Sequence, residues 1–155
     1  RDSSTPSSLG VAVDLLLALS SFAPNEGFDS IANTVLTTHG NRVRGSPTEY
    51  PSLVLAADRS VRGGVELTVA AETPPESWRN RLAETYLPAG VVARRPPTDD
   101  GLAPWLADLG LDETPPVWRG REARDGRPTV YACRGRACSP PTHDMDEALA
   151  WLTEK

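Results

Sequence analysis

The residues best suited to chemistry lie in one stretch, Pro128-Thr-Val-Tyr-Ala-Cys133-Arg-Gly-Arg-Ala-Cys138-Ser-Pro-Pro-Thr-His143. It holds both cysteines of the chain and one of its two histidines. Alternating apolar and β-branched residues around a glycine read as two short strands folded back on each other. A two-residue loop of Gly135 and Arg136, with glycine first as a type II′ turn prefers, pairs Arg134 with Ala137. Cys133 and Cys138 then face each other at the next, non-hydrogen-bonded position, where Cα atoms lie about 4.5 Å apart. Both side chains leave the same face, so a cross-strand disulfide of the easily reduced kind is allowed, at the short end of accepted separations.

Three chemistries fit this pair. The plainest is two small thiols packed in a sheet, since free cysteine is among the most buried residue types and a reducing cytosol keeps it so. The second is a reversible redox pair of Cys133 and Cys138. The third is a metal site of Cys133, Cys138 and His143, which would need one more ligand such as His39. The C-x4-C spacing is neither the C-x2-C of thioredoxin-like sites nor a familiar zinc pattern. Nothing in the sequence brings His39 close, and His143 is expected in the turn before a helix capped by Asp144. No bound cofactor is expected.

The elements that would hold this stretch are legible from the change in hydrophobic period. Residues 1–62 read as helical. Thr5-Pro6-Ser7-Ser8 supplies a choice of cap for a helix from Leu9 to about Phe22 that is apolar on nearly every side, as in a helix buried in a larger assembly. A second helix, Phe28 to Val43, turns Phe28, Ile31, Ala32, Val35 and Leu36 to one face, and Gly45-Ser46-Pro47 stops it. A third, from Pro47 or Thr48 to Ser60, faces Tyr50, Leu53, Val54 and Ala57 inward, and Gly63-Gly64 closes this half. Residues 63–155 read as a small α/β unit. Val65 to Ala71 alternates as a strand, and Thr73-Pro-Pro-Glu76 opens a helix with Trp78, Leu82 and Tyr86 on one face. Val91 to Arg95 is a second strand, and Thr98-Asp-Asp-Gly101 opens a short helix, about Ala103 to Leu109, with Trp105 and Leu109 inward. A loop from Asp112 to Arg127, anchored by Trp118, leads into the hairpin. The last helix, Met145 to Thr153, buries Leu149 and Leu152. The fold class expected is therefore α+β (mixed), with parallel pairing of the first two strands.

Net charge is −5 with the acids spread, which argues against nucleic acid, whose binding relies on clustered cations. Arg94-Arg95 and Arg119 to Arg127 are local exceptions. No apolar run approaches the roughly 18 residues of a membrane span, and Leu9 to Leu19 carries Asp14 and lacks the flanks of a signal peptide. No membrane partner is expected, and a cytoplasmic location is. The only lysine is Lys155, against fifteen arginines, a bias that a GC-rich genome or adaptation to salt would produce. The chain opens on Arg1 and enters a Ser/Thr/Pro turn at once, and reads as a fragment of a longer protein.

Tyr131-Ala-Cys133-Arg-Gly-Arg-Ala-Cys138-Ser-Pro-Pro-Thr142 before an acidic helix start at Asp144 resembles the C-terminal end of the thioredoxin-domain-containing proteins related to spermatogenesis-associated protein 20. Asp2 to Val13 is similar to that family's Pro-Ser segment, and Tyr86-Leu-Pro-Ala-Gly-Val-Val-Ala93 to its Leu-Pro-Asn-Val-Val stretch. The chain departs from the family at Leu9, where Asn is usual, and at Gly135 and Arg136, where an aromatic often stands. The resemblance implies a thioredoxin-like domain, then a toroid of paired helices like those of sugar epimerases and glycosidases, then a small α/β tail. This chain would hold the last toroid helices and the tail, with the rest of that protein as its partner. Three functions follow as expectations. One is a non-catalytic module that completes a larger protein and self-associates through Leu9–Phe22 when alone. Another is an accessory redox pair. The third is a share in a carbohydrate site, for which Asp14 and Glu49 are the acids by class.

Overall fold

The computed structural model describes every residue except Ala89, Arg136, Glu154 and Lys155. Its fold is mixed α+β, and the chain divides into two compact units, Arg1–Gly64 and Val65–Lys155.

The first unit is helical: α1 (Ser8–Leu19), α2 (Phe28–Gly45) and α3 (Pro51–Arg62). Val13, Ala32, Tyr50, Leu53 and Ala56 form its buried centre, ringed by Leu9, Leu16, Leu17, Val35, Leu36 and Val43. The Ser7 hydroxyl caps α1 by accepting from the Gly10 amide at 3.2 Å. α1 stops at Leu19 rather than Phe22. There the Ser20 hydroxyl turns back to the Leu17 carbonyl, and the amides of Phe22 and Ala23 both reach the Leu19 carbonyl in a tightened turn. The chain enters α2 through Gly27, whose φ of +72° suits a residue without Cβ. Ile31, expected inside, is half exposed.

The inward face of α3 also differs from expectation. A 3-10 turn over Pro47–Glu49 delays the helix to Pro51, and the buried residues are Leu53, Ala56 and Arg59. Val54 is exposed and Ala57 only partly covered. A cation takes the core-facing position because Asp14 of α1 receives it, Arg59 Nη1 to Asp14 Oδ1 at 2.9 Å.

The second unit is built on a sheet ordered β2-β1-β3-β4, from β1 (Val65–Ala70), β2 (Gly90–Arg95), β3 (Thr129–Arg134) and β4 (Ala137–Cys138). β1 and β2 run parallel from Val65↔Gly90 to Ala70↔Arg95, joined through α4 (Glu76–Ala83). β1 and β3 are antiparallel, with Glu66 opposite Cys133 and Thr68 opposite Tyr131. One face of the sheet supplies Leu67, Val69, Val130 and Ala132 to a core completed by Met145, Ala148, Leu149 and Leu152 of α6 (Met145–Thr153). Asp144 caps α6, accepting from the Asp146 amide at 2.8 Å.

Two helices in this unit depart from expectation. α4 ends at Ala83, so Tyr86 is exposed at 86% and Leu87 packs beside Trp78 and Leu82 in its place. α5 (Asp99–Asp108) is opened by Thr98 as expected, its hydroxyl accepting from the Gly101 amide at 3.1 Å, but the helix forms from Asp99 rather than from Ala103. Its buried residue is Leu102, while Leu109 lies 58% exposed beyond its end.

Candidate functional site

The cysteine hairpin is assembled from the sheet outward. Gly135 opens its loop at a φ of +60°, a conformation that costs a β-carbon residue most. The second loop residue, Arg136, lies outside the described residues. Arg134 pairs with Ala137 and Cys133 with Cys138, the register that the glycine turn implied. The Ser139 amide donates to the Ala132 carbonyl at 2.8 Å, which makes Ala132 and Ser139 a hydrogen-bonded position and Cys133 with Cys138 the open one between.

The two cysteines are joined in a disulfide with a Cα–Cα separation of 4.0 Å. This replaces the expectation of two packed free thiols: adjacent strands place both sulfurs on one face at bonding reach. It also takes both sulfurs from the metal reading. His143 is occupied elsewhere, its Nδ1 donating to the Pro128 carbonyl at 2.9 Å and its Nε2 lying 3.4 Å from Asp125 Oδ2. His39 lies on α2 of the other unit. Among the described residues no three His, Cys, Asp or Glu side chains are grouped to hold a metal ion.

The two cysteines have unlike surroundings. Cys133 is 3% exposed, whereas Cys138 is an exposed residue on the outermost strand. Beside Cys133 stands Arg121, with Nη2 at 3.2 Å from the sulfur. Arg121 is itself held in place, Nη1 donating to Thr68 Oγ1 at 2.8 Å and to the Val117 carbonyl at 3.1 Å. Nη2 also reaches Glu66 Oε2 at 3.4 Å, in an ion pair whose side chains are 14% and 24% exposed. A thiolate left on Cys133 would therefore meet a fixed cation in a site largely closed to water.

The loop that carries Arg121 is fastened over the sheet by polar contacts. Thr68 Oγ1 donates to the Val117 carbonyl at 2.7 Å. Arg95, fully buried at 0%, donates to the Trp118 carbonyl at 2.7 Å and to Asp99 at 2.6 Å. The Tyr131 hydroxyl donates to the Glu122 carbonyl at 2.5 Å and accepts from Arg124 Nε at 3.3 Å. That bond, with the charges of Tyr131, Glu122 and Asp125, holds the Arg124 guanidinium above its ordinary pKa. Val117 and Trp118 fill the space beneath, so Trp118 is the anchor its sequence position suggested.

Sequence reasoning missed Arg121 and Glu66. Arg121 lies in an arginine-rich loop without period, so only its contacts reveal it. Glu66 could have been found from register, as the β1 residue directly across from Cys133. The acids named by class are tied in ion pairs: Asp14 with Arg59 at 2.9 Å and Glu49 with Arg1 at 2.9 Å. Asp2, in the Pro-Ser segment, accepts from the Ser7 amide, the Ser52 amide and the Ser52 hydroxyl at 2.8, 2.6 and 2.7 Å. The Ser52 bonds above all hold its carboxyl well below the usual carboxylate range.

No family model matches the chain, and neither the curated proteins nor the solved structures contain a match to it. No helix among the described residues is long and apolar enough to cross a membrane.

Proposed function

We propose that Cys133 and Cys138 form a reversible dithiol–disulfide pair that exchanges with the thiols of a partner. The observation that carries this is the asymmetry of the two cysteines, Cys138 an exposed residue and Cys133 a buried one whose sulfur lies against the Arg121 guanidinium. An incoming thiolate attacks Cys138 Sγ, the S–S bond breaks, and its electron pair departs on Cys133 Sγ, where Arg121 receives the charge. A second thiolate then attacks the sulfur of the first on the mixed disulfide, releasing Cys138 as thiolate. The protein disulfide is reduced, and two thiols are oxidised to a disulfide.

A purely structural staple is a weaker account. Cross-linking so short a loop constrains the unfolded chain by only about 2 kcal/mol in the chain-entropy model, and the glycine turn already closes the hairpin. Within the cytoplasm, the location this reading adopts, disulfides are commonly transient and redox-active. The resemblance to the family related to spermatogenesis-associated protein 20 makes a thioredoxin-like domain of the same longer protein the natural partner. The test is thiol titration of the native chain across glutathione ratios. Reversible reduction in the folded state is expected; a pair that opens only on unfolding would reject the reading.

A second reading, that of a non-catalytic module completing a larger protein, rests on α1. Val11, Leu15 and Leu19 are 54%, 56% and 37% exposed along that helix, an apolar surface that suits burial against further chain. Self-association at high concentration by light scattering is its expected result, and a strict monomer with α1 still ordered would count against it.

A further inference from the structure

The cysteine pair sits at an open sheet edge, and the direction of the S–S bond decides how a thiol can reach it. Disulfide exchange needs the attacking sulfur in line with the bond being broken, on the far side of the sulfur attacked. Cys133 and Cys138 are side by side on adjacent strands, so their bond runs across the sheet. Extended past Cys138, that line leaves the sheet through the outer edge of β4, the last strand in the order β2-β1-β3-β4.

The backbone faces the same way. At a non-hydrogen-bonded position the amide and carbonyl of each residue point away from the partner strand. The bond from the Ser139 amide to the Ala132 carbonyl sets Cys138 in such a position. Its N–H and C=O therefore point outward, along the line of attack, and among the described residues no strand lies beyond β4. β4 is short, only Ala137–Cys138, so the open edge is confined to the residues around Cys138. Ala137 and Ser139 flank Cys138 with small side chains, where edges are ordinarily blunted by charge. Pro140 and Pro141 then end the stretch, which confines pairing to the residues around Cys138.

We infer that the substrate is an extended, cysteine-bearing peptide segment that adds as a short antiparallel strand to β4, with its cysteine opposite Cys138. On the outer side of β4 that position is a hydrogen-bonded pair, with Cα atoms about 5.5 Å apart. This is the separation at which disulfides are commonest, so the mixed disulfide forms between strands at their ordinary spacing. The incoming side chain stands on the face of Cys138, in line with the bond to Cys133. Two backbone hydrogen bonds hold the segment while its thiolate attacks Cys138 Sγ and Cys133 leaves as thiolate beside Arg121. The inference rests on the exchange reading above.

The experiment measures reduction of the oxidised wild-type chain by three thiols at matched thiolate concentration. These are 2-mercaptoethanol, a blocked pentapeptide with a central cysteine between β-branched residues, and the same peptide N-methylated at its cysteine. The peptide is expected to react about tenfold faster than its N-methylated form, as loss of backbone hydrogen bonds would give. Equal rates for the two peptides, with 2-mercaptoethanol also reacting, would overturn strand addition and leave exchange standing. No reaction with any thiol would overturn both. A second readout uses Cys133→Ser, which cannot reclose the bond. Its mixed disulfide with the peptide is expected to slow hydrogen exchange at the Cys138 amide, and an unprotected amide there would also overturn the inference.

Discussion

Arg121→Met removes the cation beside the departing sulfur, and its effect on the rate of disulfide reduction can be worked from the geometry. Arg121 Nη2 lies 3.2 Å from Cys133 Sγ. Full unit charges at that distance interact by about 1.3 kcal/mol in water and about 5 kcal/mol at an effective dielectric of 20. A leaving sulfur carrying roughly half a charge in the transition state gains between about 0.6 and 2.6 kcal/mol from it. A value near the middle of that range corresponds to about tenfold in rate. The variant also loses the bonds to Thr68 and the Val117 carbonyl. Loosening the loop alone would uncover the disulfide and speed reduction, so the sign separates charge from packing. Glu66→Gln supplies the opposite perturbation. It removes a carboxylate that competes for Arg121 at 3.4 Å and repels the developing thiolate, and a rise of roughly threefold is expected. The assay follows reduction by 2-mercaptoethanol with quantification of released thiols. An unchanged or faster rate in Arg121→Met, or a slower one in Glu66→Gln, would refute the role given to the guanidinium.

Other predictions concern what holds the two units. A β-carbon on Gly10 would lie 2.0 Å from Ser52 Oγ and 3.1 Å from the Ser52 carbonyl carbon, so Gly10→Ala must displace α3 backbone. It is expected to destabilise the helical unit by about 2–3 kcal/mol in urea unfolding, and a change under about 0.5 kcal/mol would contradict the close approach. Asp2 has a depressed pKa in the folded state, so its contribution is present above the unfolded value of about 4 and is lost as pH falls below it. Asp2→Asn should flatten that acid limb of stability, measured by thermal unfolding from pH 7 to 3. Arg95→Met takes donors from the carbonyls of Pro96 and Trp118 while Asp99 stays 66% exposed to water. A loss of about 2 kcal/mol, with a change in tryptophan emission from Trp118, is expected.

The hairpin was the most legible part of the chain because a period of two and one glycine leave a single register. The parallel β1 and β2 with α4 between them were legible for a similar reason, each strand being short, β-branched and closed by proline or glycine. The Asp144 cap followed from residue type alone. Helix faces were harder wherever a charge points inward. Apolar counting put Val54 and Ala57 inside, whereas the ion pair with Asp14 draws in Arg59. Tyr86 fitted the spacing of Trp78 and Leu82, yet α4 ends before it. Thr98 was legible as the opening of α5, but Gly101 and Pro104 placed its first helical residue too late. The polar half of the candidate site was the least legible. Arg95 and Arg121 are positioned by loop carbonyls, and a loop without period gives no sign of which of its arginines turns inward.

The site is most directly tested by identifying the sulfur that takes the incoming thiol. The oxidised chain is mixed with the cysteine pentapeptide, quenched in acid within the first turnover, alkylated, and cut by trypsin at Arg134 and Arg136 between the two cysteines. Mass spectrometry is expected to find the peptide on Cys138 and the alkyl group on Cys133. Peptide on Cys133, or an even division between the two, would contradict the account.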